Sequence, residues 1–538
     1  MSRTPLFHIV RRSFHLAQSS LHSGESALAT LEGWRETVRL TRRHFLGAAL
    51  ATAAGVAVGG CMPLRPSFRR ETQARVVIVG AGIAGLTAAY RLHQAGVPVR
   101  IYEAQARVGG RMLSLRGHFA DAQVVELGGE MVDSGHTHVR GLCQELGIVL
   151  DDLWDDEPGL DTDGWHFGGV HRGEGEVVEA FRPIAARIEA DLATIGGDGK
   201  VTYRRPNGAE RLDRMSIAQW LNKEGVGGWI RDLLRVAYTT EYGLEIDRQS
   251  ALNFLLMISP TPEPFRLLGE SDERYRVRGG NDSLPAELAA RLGGVVETGM
   301  MLEAVTEGPD GGFRCSFRRG STSVMVAAPH LVLAIPFTVL RQVRLDVELP
   351  PVKRRAIEEL AYGTNAKLAV GFAERLWRRR YRSNGNVLTD LPFQTTWEAS
   401  RHQGGSAGVL TNFTGGMHGL ELGRGTAADQ AALLVQDLEG IFPGVGDQRA
   451  GTPAVRFHWP SHPFTHGSYA SYLVGQKTSI CGAEGERVRR LHFAGEHCSL
   501  KAQGFMEGGC ETGEAVASAI LADLGVKAGA SKWGDRAA

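Results

Sequence analysis

The chain has 538 residues, 43% of them apolar, enough to bury a large core divided among two to four domains. Its 60 Lys and Arg balance 60 Asp and Glu, so no net field favours nucleic acid or another polyanion as a partner. The 69 glycines point to many places where backbone approaches backbone or ligand closely.

Residues 1–70 read as an export signal and linker rather than as fold. Thr41-Arg42-Arg43-His44-Phe45-Leu46 resembles a twin-arginine export motif, and an Ala/Gly/Val-rich run follows it to Gly60. That run is too short and too poor in leucine for a membrane span. Val58-Gly59-Gly60-Cys61 resembles a lipobox, with Cys61 the candidate for a lipid anchor. The expected partner is the twin-arginine export machinery, which carries folded proteins. The expected location is periplasmic, or outside the cytoplasmic membrane as an anchored lipoprotein. Cys143, Cys315, Cys481, Cys498 and Cys510 show no CxxC and no metal-ligand spacing, and read as mostly buried free thiols.

Val76–Val79 predicts a buried strand. Gly80, Gly82 and Gly85 stand at GxGxxG spacing and open an apolar-periodic helix to about Ala95, with Gly96 as its stop. A second strand, Val99–Tyr102, ends on Glu103, 18 residues beyond Gly85. Strand, glycines, helix, strand and acid in that order make a dinucleotide-binding unit. Gly80 makes the turn, Gly82 admits a pyrophosphate, and Gly85 lets helix and strand close together. The helix N-terminus offers free N–H groups and the positive end of its dipole. Glu103 can accept hydrogen bonds from both ribose hydroxyls.

The segment Glu103-Ala104-Gln-Ala-Arg107-Val-Gly109-Gly110-Arg111 follows, with a glycine pair for close approach and Arg111 to offset pyrophosphate charge. Next comes Glu126-Leu-Gly128-Gly129-Glu130. Amphipathic helical patterns occupy Ile217–Leu221 and Ile230–Ala237. Beyond them lie Arg278-Gly279-Gly280 with Leu284-Pro285, then the strand-like runs Met301–Val305, His330 to Pro336, Lys367–Phe372 and Gln394–Trp397. Trp459 to Tyr469, Leu491 to Glu496 and Gly504 to Gly508 complete the series.

Taken together, these segments resemble the flavin-containing amine oxidase family of monoamine, polyamine and L-amino-acid oxidases, from about residue 74 to 524. The run from Glu103 to Arg111 resembles that family's extension, which NAD dehydrogenases lack, and it implies FAD as the cofactor. The resemblance implies an α/β fold. A glutathione-reductase-like FAD-binding Rossmann domain is expected to be discontinuous, built from 71–130, 275–340 and 455–525. An α+β substrate-binding domain from 131–274 and 341–454 would interleave with it, and 526–538 would form a tail. The residues expected to meet FAD include Gly80, Gly82, Ala84, Gly85, Glu103, Ala104 and Arg111 near the phosphates and ribose. Gly128, Gly129 and Glu130 would run along the flavin, and Leu302 would meet the adenine. Trp459, Gly495, Glu496, Phe505 and Met506 would close the site.

By the same resemblance, Lys367 in the segment Gly363–Lys367 is the first catalytic candidate, holding a water near flavin N5. Tyr469 and Phe505 fall on two aromatic-cage positions that steer an uncharged amine and exclude water. The implied reaction is hydride transfer from the amine-bearing carbon, giving an imine that hydrolyses, with oxygen reduced to hydrogen peroxide. The substrate is then a small-molecule amine. An L-amino acid giving a keto acid, or a dehydrogenase or desaturase using a non-oxygen acceptor, remains the alternative. Met131 stands where related amino-acid oxidases place an arginine for the substrate carboxylate. Polyamine oxidases keep an acid at the position of Asp133, and Glu130 lies close by; either could meet a second amino group. His136 and His138 lack further ligands, so no metal is expected. Ser468 occupies the place of the cysteine that monoamine oxidases join covalently to FAD. Trichloroacetic acid should therefore release all the flavin into the supernatant; yellow colour left in the pellet would show a covalent bond.

Overall fold

A computed structural model of the protein describes residues 74–526, apart from 163, 198, 258–270 and 309. The twin-arginine motif, Cys61 and most of the expected tail lie outside the described residues.

Val76–Val79 is β-branched at every position and buried on both faces, which suits the centre of a parallel sheet rather than an edge. It takes that place in a five-stranded sheet ordered 491–493, 330–333, 76–79, 99–102, 296–297. Every pairing in it is parallel. Its strands therefore come from three distant stretches of chain. The helix Ile83–Gln94 leaves the central strand through Gly80, whose φ of +100° is a left-handed conformation that glycine adopts without strain. Gly96 ends the turn beyond the helix at φ 75°.

The long C-terminal helix, Met506–Asp523, crosses this first helix at backbone contact. A Cβ at Gly509 would lie 2.6 Å from Ile83 Cγ2, and one at Gly513 would lie 2.5 Å from Ala84 O. Only glycine fits at both positions. The crossing brings the two helix N-termini to one side of the sheet, where Gly82 and Phe505 are N-caps without a side-chain cap.

A second, seven-stranded sheet is ordered 455–458, 366–372, 408–414, 395–398, 387–389, 164–167, 170–172. Ala366–Phe372 is buried along its whole length. Its backbone groups need partners on both edges, and it finds them in antiparallel Gly408–Thr414 and Val455–His458. Val455–His458 falls inside a block expected to bind FAD, yet it ladders with the substrate-side sheet; Trp459, the next residue, carries the chain back to the cofactor side. A third sheet of four strands, 322–328, 313–319, 301–307 and 344–346, shows the converse. Arg344–Asp346, expected among the substrate segments, pairs parallel with Ala304–Thr306. The expected helical patterns appear as Ile217–Lys223 and Gly228–Tyr242, burying Trp220, Tyr238 and Phe254 in a separate core.

Gly513→Ala should destabilise the protein by about 1–3 kcal/mol, because the added methyl meets backbone oxygen rather than a side chain that can turn aside. Chemical denaturation of the holoprotein reads this directly; an unchanged midpoint would mean the helices can separate at no cost.

Candidate active site

A cavity of about 500 Å³ lies between the five-stranded and seven-stranded sheets, within the usual size range of cofactor and ligand sites. It is lined by Gly80, Gly82, Ala84, Glu103, Ala104, Arg111, Gly128, Gly129 and Glu130 from the first block. Leu302, Lys367, Trp459, Tyr469, Gly495, Glu496, Phe505 and Met506 line it from the later ones. Gly85 is the one expected site residue that does not. Its Cβ would lie 2.1 Å from Gly80 O, so its role is to let helix and strand close, as its spacing implied.

At the dinucleotide end, a Cβ on Gly82 would enter open space with nothing within 4 Å. Glu103 Oε2 accepts the Ala81 N–H at 2.7 Å and Oε1 accepts the Gln105 N–H at 2.8 Å. Burial pushes this carboxyl up while those N–H bonds oppose the shift. Each oxygen keeps a lone pair for a further donor. An uncapped helix N-terminus, an open glycine and a buried acceptor pair are the groups a pyrophosphate and a ribose need. The residues present fit a dinucleotide.

Arg111 lines the cavity and also bonds within the protein. Its Nη1 donates to Glu496 Oε1 at 2.7 Å and to Ser468 O at 2.9 Å. Glu496 Oε2 in turn accepts the Gly504 N–H at 2.8 Å. The guanidinium thus ties together three segments that close the cavity.

Lys367 lies on the buried strand 366–372 and is 5% exposed. Its ammonium donates to Glu126 O at 3.0 Å, Gly128 O at 2.9 Å and Glu130 Oε2 at 2.6 Å. An ammonium has three protons, and all three are engaged; the expected bound water would have to share one of them. Trp397, beside it, has its ring centre 5.1 Å from Nζ. Glu130 is itself 6% exposed.

Tyr469 donates its hydroxyl to Glu241 O at 2.9 Å, which fixes the ring. Phe505 is held edge-on by the His136 ring at 5.1 Å. Both line the same cavity, as does Ser468, whose Oγ donates to Asn365 Oδ1 at 2.7 Å. Trp459 donates to Leu127 O at 2.9 Å. No cysteine among the described residues lines the cavity. His136 Nδ1 accepts the Asp133 N–H at 3.0 Å and His138 Nδ1 bonds Glu514 at 2.8 Å. Among the described residues a group with metal-ligand spacing is His330, His492 and Asp523. It lies at the other end of the strand from the cavity, with Asp523 already 2.6 Å from Arg487.

Three lining residues escaped sequence reading. Trp397 and Phe413 sit on wholly buried strands, where aromatic residues read simply as core. Glu273 stands in a short acidic run before Arg278-Gly279-Gly280 with no periodic signal at all.

The family described as flavin containing amine oxidoreductase matches residues 83–521. The chain belongs to this family, and FAD is its cofactor. An L-amino acid dehydrogenase of Synechocystis sp. is 25% identical over 476 residues, covering 83% of this chain and 94% of the relative. Cyclohexylamine oxidase from Brevibacterium oxydans has a similar fold, with a TM-score of 0.73 at 21% identity, covering 84% of this chain and all of the other. Putrescine oxidase bound to putrescine is similar with a TM-score of 0.70 at 22% identity, covering 84% and 99% of the two chains.

Lys367→Met should cost about 3–5 kcal/mol, because it strands the Glu130 carboxylate in a dry site. Adding Glu130→Gln should recover most of that loss. A denaturation double-mutant cycle measures the coupling, and additive costs would show that the two charges do not depend on each other.

Proposed function

We propose that this flavoenzyme oxidises the carbon–nitrogen bond of an amine, using non-covalently held FAD, with oxygen as the electron acceptor. The observation that carries this reading is the continuous cavity from Glu103, past the Lys367–Glu130 pair, to Tyr469 and Phe505. When bound, FAD supplies a hydride acceptor and a route for two electrons to oxygen. The chain supplies position and a dry surface. Tyr469 and Phe505 present ring faces that favour an uncharged amine there, and only the uncharged amine has the lone pair that drives hydride loss. Lys367 holds the 126–130 segment against the cavity, so Gly128 and Gly129 keep a fixed surface for the cofactor. The product imine would hydrolyse to an aldehyde or ketone.

The fold supports a glutathione-reductase-like reading of the parallel sheet, with the FAD-binding and substrate-binding portions interleaved along the chain. Ser468 at its position, and a cavity without cysteine, support dissociable FAD. Met131 lines the cavity where an amino-acid oxidase would place its carboxylate-binding arginine, which favours amines over amino acids. The relatives include both kinds of enzyme. Export through the twin-arginine route, with lipid attachment at Cys61, is part of the same proposal and rests on the sequence of residues 41–61 alone.

A peroxide-coupled screen of monoamines, polyamines and the twenty L-amino acids tests the assignment. Amines should be turned over with peroxide release under air. Turnover of amino acids alone would replace it with the amino-acid oxidase reading, and flavin reduction without peroxide would replace oxygen with another acceptor.

A further inference from the structure

Sequence reading left Glu130 and Asp133 as the acids that could meet a second amino group. Neither suits that role in the folded chain, since Glu130 already pairs with an ammonium and Asp133 does not line the cavity. Glu130 is committed to Lys367 at 2.6 Å. Asp133 accepts the Glu273 N–H on Oδ1 at 2.7 Å, is hydrogen-bonded by Ser271, and has Oδ2 3.2 Å from His136 Nε2. The structure puts a third acid at this end of the cavity instead.

Glu273 is 7% exposed and lines the cavity. Its Oε2 is buried with no hydrogen-bond partner among the described residues. Its φ of +45° lies in the left-handed region, where a residue with a Cβ is strained. The Asp133 carboxylate, gripping its amide, holds it there. A strained, buried acid with an orphan oxygen is costly unless a donor arrives to use it.

Its surroundings identify that donor. Burial, with Asp133 and Glu241 alongside, holds the Glu273 carboxyl well above its usual range; Glu130 adds to this and Arg401 opposes it. Arg401 turns its Nη atoms to Glu157 Oε1 at 3.1 Å and the Met131 sulfur at 3.5 Å, while its buried Nε has no hydrogen-bond partner among the described residues. Burial and acidic neighbours disfavour the ionised form of Glu273, and a cation arriving beside it would restore that form, whereas an anion would oppose it further. Both cage rings are nearby in the network. His136, which faces Asp133, packs on Phe505, and Tyr469 is anchored on the backbone of Glu241. The acid is unsuited to the reacting nitrogen, because an ammonium held by a carboxylate keeps its lone pair protonated and cannot release hydride. It suits a second nitrogen that stays charged throughout.

We infer that Glu273 is the counter-ion for a second ammonium group, and that the preferred substrates are amines carrying two amino groups. The inference rests on the amine-oxidising reading above, with the reacting nitrogen between Tyr469 and Phe505.

The test compares kcat/KM for a series of α,ω-diaminoalkanes and the matching 1-aminoalkanes, in the wild-type holoenzyme and in Glu273→Gln and Glu273→Asp. The wild type should favour the best diamine over its monoamine by about 100-fold or more. Glu273→Gln should lower kcat/KM for the diamine by about 100-fold, mainly through KM, and change the monoamine by less than about 3-fold. Glu273→Asp should restore part of the preference. Flavin absorbance of the purified variants confirms that FAD is retained, and anaerobic titration of the flavin spectrum should show the same loss of diamine affinity. Equal losses for both series, or no loss for either, would overturn the inference while leaving amine oxidation intact. Wild-type turnover of amino acids and of neither amine series would instead overturn the amine assignment itself, and Glu273 with it.

Discussion

One buried ammonium joins the two sides of this protein. Lys367 belongs to the seven-stranded sheet, but all three of its protons go to the 126–130 segment on the cofactor side. Two of its partners are main-chain carbonyls, so the contact fixes backbone and not only charge. The remaining partner, Glu130, neutralises it in a place too dry for either ion alone. Lysine suits the task because three acceptors converge on one point; the flat fork of an arginine could not meet them. Loss of this group would free the 126–130 backbone, whose Gly128 and Gly129 line the cavity.

The rest of the cavity follows one electrostatic pattern. The charged groups of the lining are paired with one another: Arg111 with Glu496, Lys367 with Glu130. Tyr469 and Phe505 give the same cavity a pair of uncharged rings. Their hydrogen bonds and edge contacts are made with main chain or with His136, whose buried ring is kept neutral, its pKa pushed down to about 3. Glu273 breaks the pattern, as a buried acid lining the cavity whose Oε2 has no hydrogen-bond partner among the described residues.

The dinucleotide end was legible in the sequence because its requirements are local. A turn at Gly80, a close approach at Gly85 and an acid at the end of the next strand are all set within thirty residues of chain, and each residue type follows from a steric or hydrogen-bonding need. The catalytic half was legible only through resemblance. Lys367 on a strand looks like any solvated lysine until its three acceptors, more than two hundred residues away, are brought to it. The bonds of Arg111 to Glu496 and Ser468 could not be read in advance, since those residues lie far down the chain. Glu273 was invisible for the same reason: its significance lies in a positive φ and an orphan oxygen, which no periodicity records. The sheet partners of Val455–His458 and Arg344–Asp346 were not legible in the sequence, because edge pairing is settled by which buried strand needs a neighbour, not by the strand's own composition.

The crossing of the first and last helices also dictates when the cavity can be enclosed. Gly509 and Gly513 seat the C-terminal helix directly on the helix that begins at Ile83, and Phe505 and Met506, at its start, form a wall of the cavity. A nascent chain still lacking these residues has its phosphate-binding turn but no enclosed site. Enclosure of the cavity thus waits on the C-terminal helix reaching a helix more than four hundred residues earlier in the chain.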